Sequence, residues 1–460
     1  MPVSPARRMA YQVLRRVEAE GAYASDVLYE ALDVDMKSAD AALATEITLG
    51  VLRWRRLLDF LLDRHLKKTV EQLDLVVALV LRIGLYQLRF LERIPARAAV
   101  NESVELVKLA HKASAAPLVN AVLRKAASEV ESPLEPFLPT HLSRADQLGI
   151  LHSHPTWMVE RWISLWGEAR TIQTMTANNA RPRLSCVLHN PDFAADVSSE
   201  LARAGMRSEP GRLLKNAFAV TGGSPSRTDV FRAGLFSIQD EASQAVPLLL
   251  GVEPGDRVLD LCAAPGGKTP VLARAAGSTG FVVAADRHAH RLKAMRAQFN
   301  RVRLTGVHLV ELNAEQFLPF RESFDRILVD APCSGTGTLA RHPEIRWRLR
   351  PQQIAAFHQL QVRLFGNATT HLKPGGEIVY STCSMEPEEN EEVVAEVLGS
   401  RPAIRRLGVR MPAERLRPHL RDRSQAEGLF AGDGYFRTSP AAEHTDGFFA
   451  ATLEREGSVC

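Results

Sequence analysis

The stretch Val258-Leu-Asp-Leu-Cys-Ala-Ala-Pro-Gly-Gly-Lys-Thr269 constrains this chain more than any other. It reads as a short apolar strand, a glycine-containing turn and the start of a helix, because Val271 to Ala276 is a good helix former. The same grammar runs from Phe231 onward. Strands are expected at Val258–Leu261, Phe281–Asp286, Val307–Glu311, Phe324–Asp330 and Glu377–Thr382, with helical stretches such as His290–Asn300 and Gln352–His371 between them. Such alternation folds into a parallel, doubly wound sheet. The final run, Asp446-Gly-Phe-Phe-Ala-Ala-Thr-Leu453, is expected to close that sheet as an antiparallel strand.

Open α/β sheets bind ligands at the carboxyl ends of their strands. Gly266 and Gly267 lack a Cβ, so the turn backbone can approach a ligand and adopt positive φ. The following helix directs its free N–H groups at the same place. A phosphate loop would need a glycine five positions before the Gly-Lys pair, and Cys262 stands there. The dinucleotide fingerprint Gly-x-Gly-x-x-Gly is also absent. A turn of this kind without a phosphate cradle suits a nucleoside that carries an amino acid, which is S-adenosyl-L-methionine. Cys262, Ala263, Ala264, Pro265, Gly266, Gly267 and Lys268 would line it. Asp286 lies nineteen residues after Gly267, a spacing that suits two ribose hydroxyls, although the same carboxylate could cap the next helix. Asn313, after the third strand, is placed to accept from an adenine amino group.

The fourth strand runs into Asp330-Ala-Pro-Cys-Ser-Gly-Thr-Gly337 and the fifth into Ser381-Thr-Cys-Ser384. Two thiols, Cys333 and Cys383, are therefore expected at neighbouring strand ends beside the turn. Methyltransferases acting on exocyclic amines carry Asp/Asn-Pro-Pro-aromatic at the first position; here a cysteine replaces it. Carbon 5 of cytosine is a poor nucleophile. A thiolate adding to carbon 6 makes it enamine-like, which is covalent catalysis. Asp330 could supply the acid near ring nitrogen 3. Afterwards the carbon 5 proton must leave and the thiol be expelled, a step the second cysteine could assist. Spacing alone does not say which thiol attacks.

The first 130 residues are of another kind. Apolar residues recur at helical spacing, as in Val13, Leu14 and Val17, and Leu75 to Leu91 is apolar on most sides, as a buried central helix would be. Arg7, Arg8, Arg15, Arg16, Arg53, Arg55 and Arg56 are candidates for a basic face. Pro133, Pro136 and Pro139 mark a linker. The three tryptophans of His154–Trp166 are expected to be packing anchors. Between Arg183 and Val220, short strand-like runs suggest a small α/β domain, bounded by Gly222-Gly-Ser-Pro225. Further candidate phosphate contacts are Arg341 to Arg350 and the arginines at 401, 405, 406, 410, 415, 417, 421 and 423.

The net charge of +4 permits a nucleic-acid partner without demanding one. Five cysteines without paired spacing argue against a disulfide framework or a zinc site, and a reducing cytoplasm is the expected setting. Cys186, Cys262 and Cys460 read as non-catalytic. The longest apolar run, Leu75 to Leu81, is too short to span a bilayer. No metal and no membrane partner is expected, and the chain is expected to act as a monomer.

Two resemblances sharpen this reading. Ala10-Tyr-Gln-Val-Leu, Glu46-Ile-Thr-Leu-Gly-Val, Leu85-Tyr-Gln-Leu, Ala99-Val-Asn-Glu-Ser-Val and Val119-Asn-Ala-Val-Leu-Arg124 resemble the NusB antitermination family, which implies a helical RNA-binding module and no chemistry. Residues 236–453 resemble the RNA cytosine-C5 methyltransferases. That likeness rests on Gln239-Asp-Glu-Ala-Ser-Gln244, Asp260 to Thr269, Asp330 to Gly337, Arg341-His-Pro-Glu-Ile-Arg-Trp347 and Tyr380-Ser-Thr-Cys-Ser384. Together they look like the bacterial RsmB (Sun/Fmu) type, which methylates small-subunit ribosomal RNA. The resemblance implies that Cys383 is the nucleophile, that Cys333 serves release, and that the cofactor is held by Cys262 to Lys268, Asp286, Asn313 and Asp330. One departure is Asn313, where the family usually has aspartate. The expected architecture is multidomain: an all-α NusB-like bundle over 1–130, a small α/β domain over 140–230, and a Rossmann-like class I methyltransferase domain over 231–455. Transfer RNA or another RNA as substrate, or a non-catalytic assembly factor, are the alternatives.

Overall fold

The computed structural model of the chain describes residues 3–31, 36–130, 132–430 and 432–457. It divides into two compact units, Met1–Arg181 with Leu339–Arg348, and Pro182–Thr338 with Leu349–Cys460.

The first unit is helical: α1 (Pro5–Glu20), α2 (Ala24–Ala31), α3 (Ser38–Arg53), α4 (Arg55–Asp63), α5 (Leu75–Phe90), α6 (Ala96–Leu109), α7 (Ala116–Ala127), α8 (Arg144–Leu151), α9 (Thr156–Trp166) and α10 (Glu168–Asn179). Helix α5 is buried from Val77 to Gln87, as its nearly continuous apolar sequence requires. The charge it buries, Arg82, is answered by both oxygens of Asp59 at 2.7 and 2.8 Å. Helix α3 packs closely on it because Gly50 has no side chain; a Cβ there would stand 1.9 Å from Cζ of Tyr86. Trp162 is fully buried and stacks on Trp166 at 5.5 Å, so these rings do pack.

Of the seven arginines expected on a basic face, Arg8 and Arg15 are exposed and Arg16 pairs with Glu20 and Glu30, but the other four are engaged within this unit. Arg7 is buried against Glu102 and Gln87, Arg53 is buried and donates to the Ala340 carbonyl, Arg55 pairs with Glu18 and Arg56 with Asp146. Leu339–Arg348, with its short helix α16 (Ile345–Arg348), completes this unit. Arg346, read from sequence as a phosphate contact, is wholly buried and donates to the carbonyls of Ser153 at 3.1 Å and Asn178 at 3.2 Å and to Oδ1 of Asn179 at 2.9 Å. Arg348 donates to the carbonyls of Val17, Gly21 and Ala22. Both cations satisfy the ends and loops of helices, so neither is available to RNA.

The second unit holds two sheets. The smaller is antiparallel, in the order β2-β3-β1-β4, from β1 (Leu184–Leu188), β2 (Arg207–Pro210), β3 (Ala217–Thr221) and β4 (Phe236–Ile238). Helices α11 (Ala194–Arg203), α12 (Asp229–Arg232) and α13 (Glu241–Ala245) accompany it in sequence. The larger sheet comprises β5 (Arg257–Asp260), β6 (Phe281–Asp286), β7 (Val307–Glu311), β8 (Phe324–Asp330), β9 (Leu372–Thr382), β10 (Ile404–Arg406), β11 (Phe436–Arg437) and β12 (Phe449–Arg455). Its main path is β10-β12-β9-β8-β5-β6-β7, and β11 pairs with β12. Strands β5 to β9 are parallel, and β12 pairs antiparallel with β9, Thr452 opposite Val379. The helices are α14 (Thr269–Ala276), α15 (Ala289–Arg301), α17 (Pro351–Thr370), α18 (Glu391–Ser400) and α19 (Arg410–Leu416).

The first four parallel strands of the sequence reading, β5 to β8, are present, with limits equal or shifted by one residue. Strand β9 begins earlier than expected, at Leu372 opposite Phe324; Lys373-Pro-Gly-Gly376 bulges out of the ladder, which resumes at Glu377 opposite Arg326. Parallel pairing brings one end of each strand to the same edge of the sheet. Asp260, Asp286 and Asp330 end β5, β6 and β8, and Cys383 follows the last residue of β9.

Candidate active site

The turn after β5 is shaped by packing behind it. Gly266 has φ of +94°, and a Cβ there would come within 3.1 Å of Met295 and Phe299 on α15. Only glycine meets both conditions at low cost. Asp260, 1% exposed, accepts a hydrogen bond from the Thr269 hydroxyl at 2.7 Å, which links the strand end to the first residue of α14. Its other oxygen, Oδ1, is buried with no partner among the described residues. Burial pushes the Asp260 carboxyl up to about 7; the Thr269 bond works against this and the charge of Asp330 adds to it. The Cys262 thiol is likewise pushed up, by burial and then by Asp260, Asp286 and Asp330.

Asp286 is 7% exposed and accepts from the backbone N–H of His288 at 3.0 Å and of Ala264 at 3.3 Å. It thus fastens the turn to the end of β6 while leaving lone pairs on both oxygens. Asn313 accepts the N–H of Glu315 at 3.1 Å through Oδ1, so the oxygen expected to meet an adenine amino group already holds its own loop. A carbonyl oxygen has a second lone pair, which this bond leaves unused.

The other half of the site comes from the ends of β8 and β9, paired with Asp330 opposite Ser381. Asp330 accepts from Lys268 Nζ at 2.5 Å and from the Ser381 hydroxyl at 2.8 Å. Lys268 also lies over the Phe448 ring at 5.1 Å. The sulfurs of Cys333 and Cys383 are 3.3 Å apart. The Cys383 sulfur, burial and the Glu389 carboxylate all push the Cys333 thiol up. Gly337 donates its N–H to the Cys383 carbonyl at 2.9 Å, tying the two loops together.

Sequence reading missed Glu389. It lies in the acidic run Glu386 to Glu392, which by sequence reads as the exposed start of a helix, whereas Glu386 and Glu389 are both wholly buried. The only available signal was its place six residues after a cysteine, beside the asparagine that precedes α18. The C-terminal arginines are mostly engaged. Arg415 pairs with both oxygens of Glu377, Arg405 with Glu454, Arg410 with Glu414 and Arg417 with Glu427, while Arg406 donates to the Asp433 carbonyl. Arg401, Arg421 and Arg423 are exposed. Cys186 is buried in the smaller sheet's core, and Cys460 lies outside the described residues. A cavity of about 320 Å³ lined by His189, Gln239, Gly267 and Arg274 includes neither thiol and none of the three strand-end aspartates. Among the described residues there is no cluster able to hold a metal ion, and no helix is long and apolar enough to cross a membrane.

Comparison with known proteins decides the family. Residues 247–454 match the family model of the 16S rRNA methyltransferase RsmB/F, and residues 4–128 match the NusB family. A probable ribosomal RNA small subunit methyltransferase B of Bacillus subtilis is 31% identical over 99% of this chain and 100% of its own length. This chain belongs to the RsmB family of ribosomal RNA small-subunit methyltransferases. A family member from Pseudomonas putida, ribosomal RNA small subunit methyltransferase B, is 35% identical over 86% of this chain and 89% of its own. Among solved structures, that of PH0851 superposes with a TM-score of 0.80, at 24% identity, covering 98% of this chain and 99% of that one. A methyltransferase homologue from Pyrococcus horikoshii gives 0.55 at 30% identity, covering 68% of this chain and 100% of that one. The NusB-like helices and the Rossmann-like sheet are therefore both features of the family fold.

Proposed function

We propose that this chain methylates carbon 5 of a cytosine in small-subunit ribosomal RNA, with S-adenosyl-L-methionine as donor and Cys383 as covalent nucleophile. The single observation that carries this reading is the pair of sulfurs, Cys333 and Cys383, 3.3 Å apart on loops that follow adjacent strands. A methyltransferase acting on an amine or a hydroxyl has no use for two thiols there.

The turn fits such a cofactor on its chemistry. Three carboxylates gather at the strand ends, Asp260 with one oxygen unpartnered and Asp286 with lone pairs to spare, and they suit a ligand bearing two ribose hydroxyls and an ammonium group. When bound, the cofactor supplies an electrophilic methyl group on a sulfonium. Cysteine 262 to Lys268 would contact it through backbone, Asp286 would take the ribose, and Asn313 and Asp330 would border the adenine and the methyl.

The remaining steps belong to the chain's own residues. The Cys383 thiolate adds to carbon 6 of the cytosine, and the electron pair displaced from the ring is met by a proton at nitrogen 3. Lys268, which donates to Asp330 Oδ2, supplies that proton, and Asp330 relays it to the ring. Carbon 5, now enamine-like, takes the methyl group. With the Cys383 sulfur bonded to carbon, its upward push on Cys333 is gone, and Cys333 as thiolate takes the carbon 5 proton; the carbon 5–carbon 6 double bond re-forms, the carbon–sulfur bond breaks, Cys383 leaves as thiolate and the nitrogen 3 proton returns through Asp330. The base has to be out of its stack to reach this position. The NusB-like helices over 1–130, the segment over 140–230 and the domain over 231–455 would serve RNA binding, connection and chemistry in that order, with one copy of the chain sufficing.

The test is bisulfite sequencing of total RNA from cells with and without the gene. One small-subunit ribosomal cytosine that is protected only when the gene is present is the expected result. Protection confined to transfer RNA, or none, contradicts the reading.

A further inference from the structure

We propose that Glu389 is a positioning residue for this reaction: one buried carboxylate holds the two cysteine loops at their working separation. The inference rests on the reading of Cys333 and Cys383 given above.

The geometry is specific to these two loops. Oε1 of Glu389 accepts the backbone N–H of Ser334 at 2.8 Å and the side-chain amide of Gln361 at 3.0 Å. Oε2 accepts the hydroxyl of Ser384 at 2.5 Å and that of Ser334. Ser334 follows Cys333, and Ser384 follows Cys383. The two hydroxyl oxygens are themselves 3.1 Å apart. Gln361 also donates to the carbonyl of Pro332 at 3.0 Å, so the residues on both sides of Cys333 lead back to the same carboxylate. Glu389 is held in turn: its carbonyl accepts the Tyr380 hydroxyl at 2.6 Å, and Asn390 next to it accepts from Thr382 at 2.5 Å and donates to the Ser384 carbonyl at 3.0 Å.

A helix start needs no buried glutamate, and the two loops could be packed with apolar groups. A carboxylate with four donors does something packing cannot: its two oxygens fix the direction as well as the distance of each loop. It touches neither sulfur, so it acts through Ser334 and Ser384. The substitution Glu389→Gln keeps an acceptor for Ser334 N–H and Gln361, and its amide can donate to both hydroxyls after they rotate. The substitution Glu389→Ala removes all four bonds.

The test uses the full chain and two independent readouts, methyl transfer and the rate at which diamide oxidises Cys333 and Cys383 to a disulfide. Disulfide formation needs close, directed sulfurs and does not depend on what the substrate is. For Glu389→Ala, kcat is expected to fall about a hundredfold, the effect of misplacing a reacting group by about an ångström. Binding of sinefungin and of RNA should change less than about twofold, and the crosslink should slow by roughly tenfold or more. Glu389→Gln should keep both rates within a few-fold. Should Glu389→Ala not fold, the double substitution Ser334→Ala with Ser384→Ala is read the same way. An alanine variant that crosslinks and turns over like the parent overturns the proposal. So does one whose sinefungin affinity falls as far as its kcat, since that marks a general structural role. If the crosslink slows in Glu389→Ala while Cys383→Ala still methylates RNA, the positioning stands and the covalent reading fails.

Discussion

Lys268 and Asp330 form a salt bridge of 2.5 Å that joins the turn after β5 to the end of β8. The lysine is the last residue before α14, and the aspartate opens the loop that carries Cys333. One ion pair therefore couples the place where a donor would sit to the place where a base would react. Replacing Lys268 by Met keeps the stem against Phe448 and removes the proton-bearing head. We expect kcat for methyl transfer to drop by about a hundredfold, the usual size of a lost general-acid contribution. Steady-state assays with circular dichroism as a folding control check this; an unchanged kcat would remove Lys268 and Asp330 from proton delivery.

Gly337 is the tightest backbone approach in the site. A Cβ there would stand 2.0 Å from the Gly447 carbonyl oxygen and 2.9 Å from that of Cys383. Both are backbone atoms with nowhere to retreat. Gly337→Ala should destabilise the catalytic unit by about 2–3 kcal/mol, as overpacking at a fixed point does, and should abolish turnover. Thermal unfolding followed by intrinsic fluorescence measures the first, and the methyl-transfer assay the second.

Asp260 gives the unliganded protein a pH dependence of unusual sign. Its carboxyl is held up at about 7 by burial, whereas an unfolded aspartate titrates near about 4. Between those values the folded chain binds the extra proton, so its stability relative to the unfolded chain falls as pH rises from about 4 to about 7. The full span corresponds to about 4 kcal/mol. Asp260→Asn keeps the acceptor for Thr269 and removes the titration. The variant should gain on the parent in melting temperature as pH goes from 5 to about 7.5. A constant difference across that range would show that Asp260 ionises normally.

Arg346 is the buried anchor of the 339–348 segment in the helical unit. Removing its head leaves several carbonyls and an amide oxygen without donors in a closed interior. Arg346→Ala should cost about 3–5 kcal/mol, as loss of one side of a buried polar network does. Arg346→Lys should not restore it, because an ammonium has three donors in a different shape. Limited proteolysis between Leu339 and Arg348 reports the loosening directly.

The strand ends were legible because each apolar run of the sheet stops at a polar residue, and parallel pairing gathers those ends at one edge. Asp260, Asp286 and Asp330 came out where their sequences placed them, and so did the closing antiparallel strand. Glu389 and Arg346 were not legible for one shared reason. Runs of charge ordinarily mark solvated surface. What buries these two is a set of partners far away in sequence: Ser334 and Gln361 for the glutamate, Ser153 and Asn178 for the arginine. Local pattern carries no record of such partners. Of the arginines of α1, α3 and α4 read as a basic face, Arg7, Arg53, Arg55 and Arg56 are answered in the same way by partners far off in the chain, whereas Arg8 and Arg15 stay exposed.

The central claim is that Cys383 bonds to the substrate base and Cys333 lets it go. Denaturing gel electrophoresis of the protein mixed with labelled ribosomal RNA and S-adenosylmethionine tests it most directly. We expect Cys383→Ala to give neither methylation nor a slow-migrating protein–RNA band, and Cys333→Ala to accumulate that band. A band that persists in Cys383→Ala and vanishes in Cys333→Ala would reverse the roles, and methylation by a chain lacking both sulfurs would end the covalent account.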